Sequence, residues 1–238
     1  MTSLVKSVGT IGGLAMVSRI FGFARDMLLA RGVGAGLAAD AFQLAFTLPN
    51  TFRRLFAEGA FSVAFVPMYS RALHGEGGEE AAAKFADDVL AVFLWVLLVF
   101  SAIAMIAMPG IVWILAREYQ AVPGKFELAV FLSRITFPYL LFISLAGFVG
   151  SVLNSYDRFA IPAFTPIWLN LSMIAAALFA VAHAYSPAHA LAWGVFAAGA
   201  IQLVFQLPFV ARIGLLPRPR PGWHHPGVRR VLKLMAAA

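Results

Sequence analysis

Four arginines lie within the two N-terminal apolar segments of the chain: Arg19, Arg25, Arg53 and Arg54. An arginine at the centre of a membrane-spanning helix costs about 2.5–3.5 kcal/mol on insertion scales, so each of them needs compensation. The acids of the same segments are Asp26, Asp40 and Glu58, which leaves the cations in excess. Because a planar guanidinium group binds two phosphate oxygens at once, this excess predicts a site for an anionic, phosphorylated ligand.

A structural network is the alternative role for the same residues. Arg54 and Glu58 are four apart and share a helix face, which favours an ion pair, and Asn50 lies one turn earlier on that face. Arg19 and Asp26 are seven apart, about two helical turns, and are also expected on a common face. From the residues alone, ligand binding and a structural or gating network both remain open.

The sequence shows no catalytic or metal-binding pattern. It has no cysteine, and its five histidines lack the spacing of a zinc site. The glycines of residues 32–36 follow a helix rather than a strand, so they predict a tight turn and not a nucleotide-binding loop. We therefore expect no catalytic residue, no metal and no cofactor.

The composition indicates which surroundings hold these arginines. Of the 238 residues, 61% are hydrophobic and 12% are charged, about half the charged share of a typical soluble domain. Lipid must cover most of such a surface. In a soluble protein, a net charge of +7 would suggest that the protein binds nucleic acid. Here the basic residues gather in loops, as in membrane proteins, and we expect no nucleic-acid partner.

The apolar segments predict an all-α, polytopic membrane helix bundle with six transmembrane helices. The second span is long for a single crossing, and Pro49 predicts a kink in it. Residues 213–230 are rich in proline and basic residues and predict a cytoplasmic linker. Residues 231–238 have the pattern of a seventh helix that begins and stops, so we expect a fragment. The predicted spans cover residues 8–31, 38–70, 89–116, 135–156, 161–183 and 189–211.

The basic residues also predict the orientation. With the N-terminus in the cytoplasm, ten of the eighteen lysines and arginines fall in inside loops and ends, four fall outside and four lie within spans. An excess of Lys and Arg on the cytoplasmic side is the general rule for membrane proteins. We therefore expect a cytoplasmic N-terminus.

Several motifs along the chain are highly specific when taken together. They are SRIFGFARD (residues 18–26), ADAF (39–42), LPNTFRRLFAEGAF (48–61) followed by FVP (65–67), TFPY (136–139) and NSYDRFAIPAF (154–164). These segments resemble the MurJ (MviN-type) lipid II flippase family, and the similarity covers the whole chain in order.

This resemblance implies a fold and an activity. The family belongs to the multidrug/oligosaccharidyl-lipid/polysaccharide exporter superfamily, whose MurJ members have two six-helix lobes and two further helices. They move lipid II, an undecaprenyl-pyrophosphate-linked peptidoglycan precursor, from the cytoplasmic to the periplasmic leaflet of the bacterial inner membrane. The resemblance thus implies a transporter and not an enzyme. Residues 1–212 would form the N-terminal lobe, and the second lobe would be missing.

The resemblance also assigns roles to the polar residues. Arg19, Arg25 and Arg53 would bind the pyrophosphate in a cationic central cavity, and alternating access would carry it across. Asp40 would pair with an arginine when the substrate is absent, and Arg54 and Glu58 would form a further gating or structural pair. The supporting residues would be Ser18, Asp26 and Asn50.

Two other functions are alternatives to the transport of lipid II. A drug/cation antiporter of the same superfamily would favour an acid-lined cavity, and the four arginines argue against that. A membrane-embedded polyprenyl-phosphate transferase usually needs clustered acidic metal ligands, and Asp26 and Asp40 have no partner motif. The expected partners are lipid II, membrane lipids and the absent second lobe, and we expect a monomer.

Overall fold

A computed structural model of the chain describes residues 2–32, 34, 36–54, 60–215 and 218. Every regular element within these residues is a helix, which confirms the predicted all-α bundle. Glu58, most of the predicted linker and residues 231–238 lie outside the described residues. The α-helices are α1 (Thr2–Gly32), α2 (Leu37–Arg53), α3 (Ala60–His74), α4 (Gly78–Ile106), α5 (Met108–Leu115), α6 (Lys125–Thr136), α7 (Tyr139–Asn154), α8 (Ala160–Ala182) and α9 (Pro187–Arg212), with a 3-10 turn at Arg117–Ala121.

Four stretches of the described chain are long and apolar enough to cross a membrane by length and composition. Two of them begin well before the predicted spans, because good helix formers extend each helix beyond its apolar part. These residues are Glu79, Glu80 and Lys84 in the first case and Lys125 in the second. The six-span count stays a prediction, since α1 carries several charges and α2 and α3 are short. The four stretches are Gly78–Ile106, Lys125–Ser155, Ala160–Ala182 and Pro187–Arg212.

Prolines lie at two breaks between helices. Pro138 lies between α6 and α7, and Pro109 lies in the first turn of α5, where its missing N–H is harmless. The predicted second span, residues 38–70, is described as α2 and α3, and residues 55–59 between them lie outside the described residues. Within α2, Pro49 has no N–H to donate to the carbonyl of Ala45, and the buried Thr136 hydroxyl of α6 donates to that oxygen at 2.6 Å instead.

The helices pack around two apolar clusters. One is centred on α2, α6 and α9, and the other on α3, α4 and α7. Helix α9 contacts both α7 and α8, and α1 packs along α8. No described side chain of α1 is buried, and Met16, Ile20 and Phe23 are among its exposed residues. Helix α1 is therefore attached to this bundle along one face and leaves the other face open.

The α8–α9 contact depends on a glycine and yields a stability prediction. A Cβ at Gly194 would lie 2.7 Å from Cβ of Ala176 and 3.3 Å from the carbonyl oxygen of Ser172. We expect Gly194→Val to lower the free energy of unfolding by about 1–3 kcal/mol, because an overpacked contact must shift backbone. Thermal unfolding in detergent measures this. Gly110→Val is the control, since a Cβ there meets nothing within 4 Å; equal losses for the two variants would contradict the close contact.

Candidate functional site

Helix α1 presents Arg19 and Arg25 in different directions. Ser18, Gly22 and Arg25 lie along the side that packs on α8 and are half-buried. Arg19 lies on the open side and is exposed. The side chain of Arg25 is 19% exposed and carries a network of hydrogen bonds, so the first predicted site residues are placed in unlike surroundings.

Arg25 is held by an acid on its own helix and an amide on the neighbouring helix. Its Nε and Nη2 donate to Oδ1 of Asp26 at 3.0 and 2.8 Å, and its Nη1 donates to Oδ1 of Asn170 at 2.9 Å. The same amide returns a hydrogen bond, since Nδ2 of Asn170 donates to the carbonyl of Ser18 at 3.0 Å. Asp26 pairs with its neighbour Arg25, whose guanidinium is thereby fixed in position.

Asn170 is a site residue that the sequence analysis missed. It is 6% exposed and lies on α8, 145 residues from Arg25. The approach of Asn170 to α1 does not require a glycine at position 22, because a Cβ there would lie 3.7 Å from Nδ2 of Asn170, an ordinary van der Waals distance. The available signal was an amide in the middle of an uncharged span, where a polar residue is costly unless it has a partner or a function.

Arg53 lies at the end of α2 and lines a cavity of about 550 Å³. Helices α7, α8 and α9 supply the other walls. Arg54 is the next residue and is exposed. Asn50 donates from Nδ2 to the carbonyl of Phe46 at 3.0 Å, so it is used within its own helix. The pair of Arg54 with Glu58 stays a prediction, because Glu58 lies outside the described residues.

Asp40 forms an ion pair at the start of α2, but with a lysine rather than the expected arginine. Nζ of Lys125 lies 2.5 Å from its Oδ2. The hydroxyl of Tyr119 donates to the carbonyl of Asp40 at 3.2 Å, and Nζ of Lys125 lies 4.2 Å from the centre of the Tyr119 ring. Burial raises the pKa of the Tyr119 hydroxyl, although Lys125 opposes the shift, so the phenol stays protonated at neutral pH.

The described residues therefore form three separate polar centres. One joins α1 to α8 around Arg25, one is the cavity beside Arg53, and one is the Asp40 cluster at the end of α2 nearest the α1–α2 turn. Within the described part of the chain, no group of three or more acidic or histidine side chains converges in a way that would hold a metal ion. The first two centres provide guanidinium groups, whose chemistry is the binding of oxyanions.

Comparison with known proteins decides the family. The family model described as "Lipid II flippase MurJ" matches residues 29–238. The chain belongs to the MurJ family. Membership and the apolar helices together make it a membrane protein.

Relatives in the MurJ family match nearly the whole chain. The lipid II flippase MurJ of Burkholderia cenocepacia is 40% identical over 99% of this chain, and a probable lipid II flippase MurJ of Vibrio cholerae is also 40% identical over 99%. A solved structure of lipid II flippase MurJ in an inward closed conformation matches with a TM-score of 0.71 and 25% identity over 95% of the chain. The chain spans 46% of the length of each of these three proteins.

The Arg25–Asn170 contact gives a prediction about how α1 is held. Asn170→Leu removes the acceptor of Nη1 and the donor to Ser18, and we expect a loss of about 1–3 kcal/mol in the free energy of unfolding. Arg25→Leu and the double variant complete a double-mutant cycle, with an expected coupling of about 1–2 kcal/mol. Thermal unfolding in detergent provides the measurement. Additive effects of the two changes would show that the contact contributes nothing.

The Asp40–Lys125 pair should contribute little to stability. The Asp40 side chain is 54% exposed, and exposed ion pairs are worth about 0–1 kcal/mol. We expect Lys125→Ala to lower the free energy of unfolding by no more than about 1 kcal/mol for the pair, with a smaller loss at high salt. The reversed pair, Asp40→Lys with Lys125→Asp, should recover most of it. Lys84→Ala, an exposed lysine on α4, is the control. A large loss that salt does not change would contradict a solvent-screened pair.

Proposed function

We propose that this chain is the N-terminal part of a lipid II flippase that moves undecaprenyl-pyrophosphate-linked substrate from the cytoplasmic to the periplasmic leaflet. The observation that carries the proposal is the placement of arginines on the first two helices of a MurJ-family chain, one of them lining a cavity among apolar helices. The family membership supports this substrate, and the shared 46% coverage supports a second half as the partner lobe.

The arginines would bind the pyrophosphate. Arg25 uses three of its five N–H groups on Asp26 and Asn170 in the described contacts, which leaves two for a ligand. Its guanidinium is already oriented, so a phosphate would not have to order that side chain on binding. Arg19 on the open face of α1 and Arg53 at the cavity would contact the same anionic group or the sugar oxygens beside it.

Asp40 would act in switching between states. Its partner Lys125 lies 85 residues away on α6, so the pair joins the starts of two helices within this lobe. Breaking an exposed ion pair of this kind is cheap, which suits a contact that forms in one state and opens in another. Arg54 and Glu58 are proposed as a second such pair on the strength of their four-residue spacing.

The setting of the protein follows from the same proposal. The chain would lie in the bacterial inner membrane as a multi-pass protein with a cytoplasmic N-terminus, and the lobes would rock around the central site. It would work as a transporter rather than an enzyme, as a monomer, with membrane lipids around it. A cation antiporter is not favoured, because none of the described residues lining the Arg53 cavity is acidic.

Complementation tests this function in cells depleted of their own flippase. We expect the full-length gene product to restore growth, and Arg19→Ala, Arg25→Ala and Arg53→Ala each to fail while reaching the membrane in normal amounts. Loss of a charge-assisted contact worth about 1.5–3 kcal/mol weakens binding about 10- to 100-fold. Arg117→Ala is the matched control, since this arginine is exposed in the 3-10 turn and packs over Trp113. Growth with all three arginine variants would overturn the proposed phosphate-binding site.

A further inference from the structure

The cavity beside Arg53 contains two buried amides. Gln202 and Gln206 lie one turn apart on α9, each is 1% exposed, and both line the cavity together with Thr165 of α8. Glutamine is rarely buried to this degree, and most buried polar side-chain atoms have at least one hydrogen-bond partner. These residues therefore need an explanation that the proposed pyrophosphate site does not supply.

One N–H of each amide donates a hydrogen bond, whereas neither amide oxygen accepts one from the described residues. Nε2 of Gln202 donates to the carbonyl of Thr165 at 2.9 Å, and Nε2 of Gln206 donates to the Thr165 hydroxyl at 3.2 Å. Because a carbonyl can only accept, the first contact fixes which way the Gln202 amide is turned. Neither Oε1 accepts a hydrogen bond from the described part of the protein. Two residues of the cavity wall thus each hold a buried acceptor without a partner among the described residues, and a ligand that brings donors would satisfy both.

The charge and size of the Arg53 cavity limit which ligands fit it. A metal cation is disfavoured, because Arg53 brings a positive charge and none of the described lining residues is acidic. A purely anionic ligand would be repelled by the partial negative charges of the two amide oxygens. The volume of about 550 Å³ is within the range of about 300–1,000 Å³ for small-molecule sites. Asn154 and Pro166 on its wall are exposed, so the cavity reaches the surface of this bundle.

We propose that this cavity is the subsite for the neutral, hydroxyl- or amide-bearing sugar unit bonded to the diphosphate, with Gln202 and Gln206 accepting its O–H or N–H groups while Arg53 contacts the phosphate. This inference rests on the proposed function, because it takes the phosphate of the same substrate as the neighbour of Arg53. It adds that recognition of the sugar is separate from recognition of the phosphate and resides within this part of the chain.

Equilibrium binding of two probes separates the two forms of recognition. One probe is a polyprenyl diphosphate without sugar, and the other is the same diphosphate bearing an N-acetylated sugar. In the full-length gene product, Gln202→Met and Gln206→Met keep the side-chain length and remove the amide. We expect each to weaken binding of the sugar-bearing probe about 10-fold and to leave binding of the sugar-free probe unchanged. Gln120→Met, at an exposed position of the 3-10 turn, should change neither.

Each outcome bears on one claim. Unchanged binding of both probes by the methionine variants would overturn the sugar subsite, and so would an equal loss for both probes. Arg53→Ala should weaken both probes, so its failure to do so would count against the proposed phosphate site and not against the glutamines. If a methionine variant does not fold, Gln202→Asn and Gln206→Asn withdraw the oxygen from the cavity while keeping the amide, and the same selective loss is expected.

Discussion

A guanidinium group in an apolar helix must find its hydrogen-bond acceptors within the protein, and this requirement fixes how α1 joins the bundle. Arg25 finds them in Asp26 and in Asn170 of α8. The amide of Asn170 in turn donates to the Ser18 carbonyl. Since no described side chain of α1 is fully buried, its position on α8 depends on this polar contact and on one strip of half-buried small and apolar residues. The arginine thus holds α1 in place while two of its five N–H groups stay outside the described contacts.

The need for hydrogen-bond partners also explains how α2 accommodates a proline. Pro49 leaves the Ala45 carbonyl without its helical donor, and Thr136 supplies one from the last turn of α6. Thr136 is available there because α6 ends at that residue, before the break at Pro138. Two motifs that are 91 residues apart, one in α2 and one between α6 and α7, therefore meet through a carbonyl that a proline has exposed. The contact secures the C-terminal half of α2, which carries Arg53 to the cavity.

The sequence pattern predicts which residues lie in helices, but it does not predict which side chains from distant parts of the chain bond to each other. The all-α fold and the positions of Arg19, Arg25 and Arg53 in apolar segments follow from the order of apolar and charged residues. Spacing favours pairs within one helix, whereas Arg25 bonds to Asn170, 145 residues away, and Asp40 bonds to Lys125, 85 residues away. Asn170 and Gln202 could not be predicted in this way, because a neutral amide does not interrupt an apolar segment as a charge does, although a buried amide also needs hydrogen-bond partners.

Helix α8 connects the two arginine centres. It presents Asn170 to Arg25 on the side that packs on α1, and Thr165 to the two glutamines on the side that faces α9. These two residues are five positions apart, about 7.5 Å along a helix axis. A packed helix moves as a unit, so a shift of α8 that opens the Arg53 cavity also displaces the acceptor of Arg25. If both centres bind the substrate as we propose, a ligand at one centre would change the geometry of the other. The physical basis is a single rigid helix that carries a hydrogen-bond acceptor for each centre.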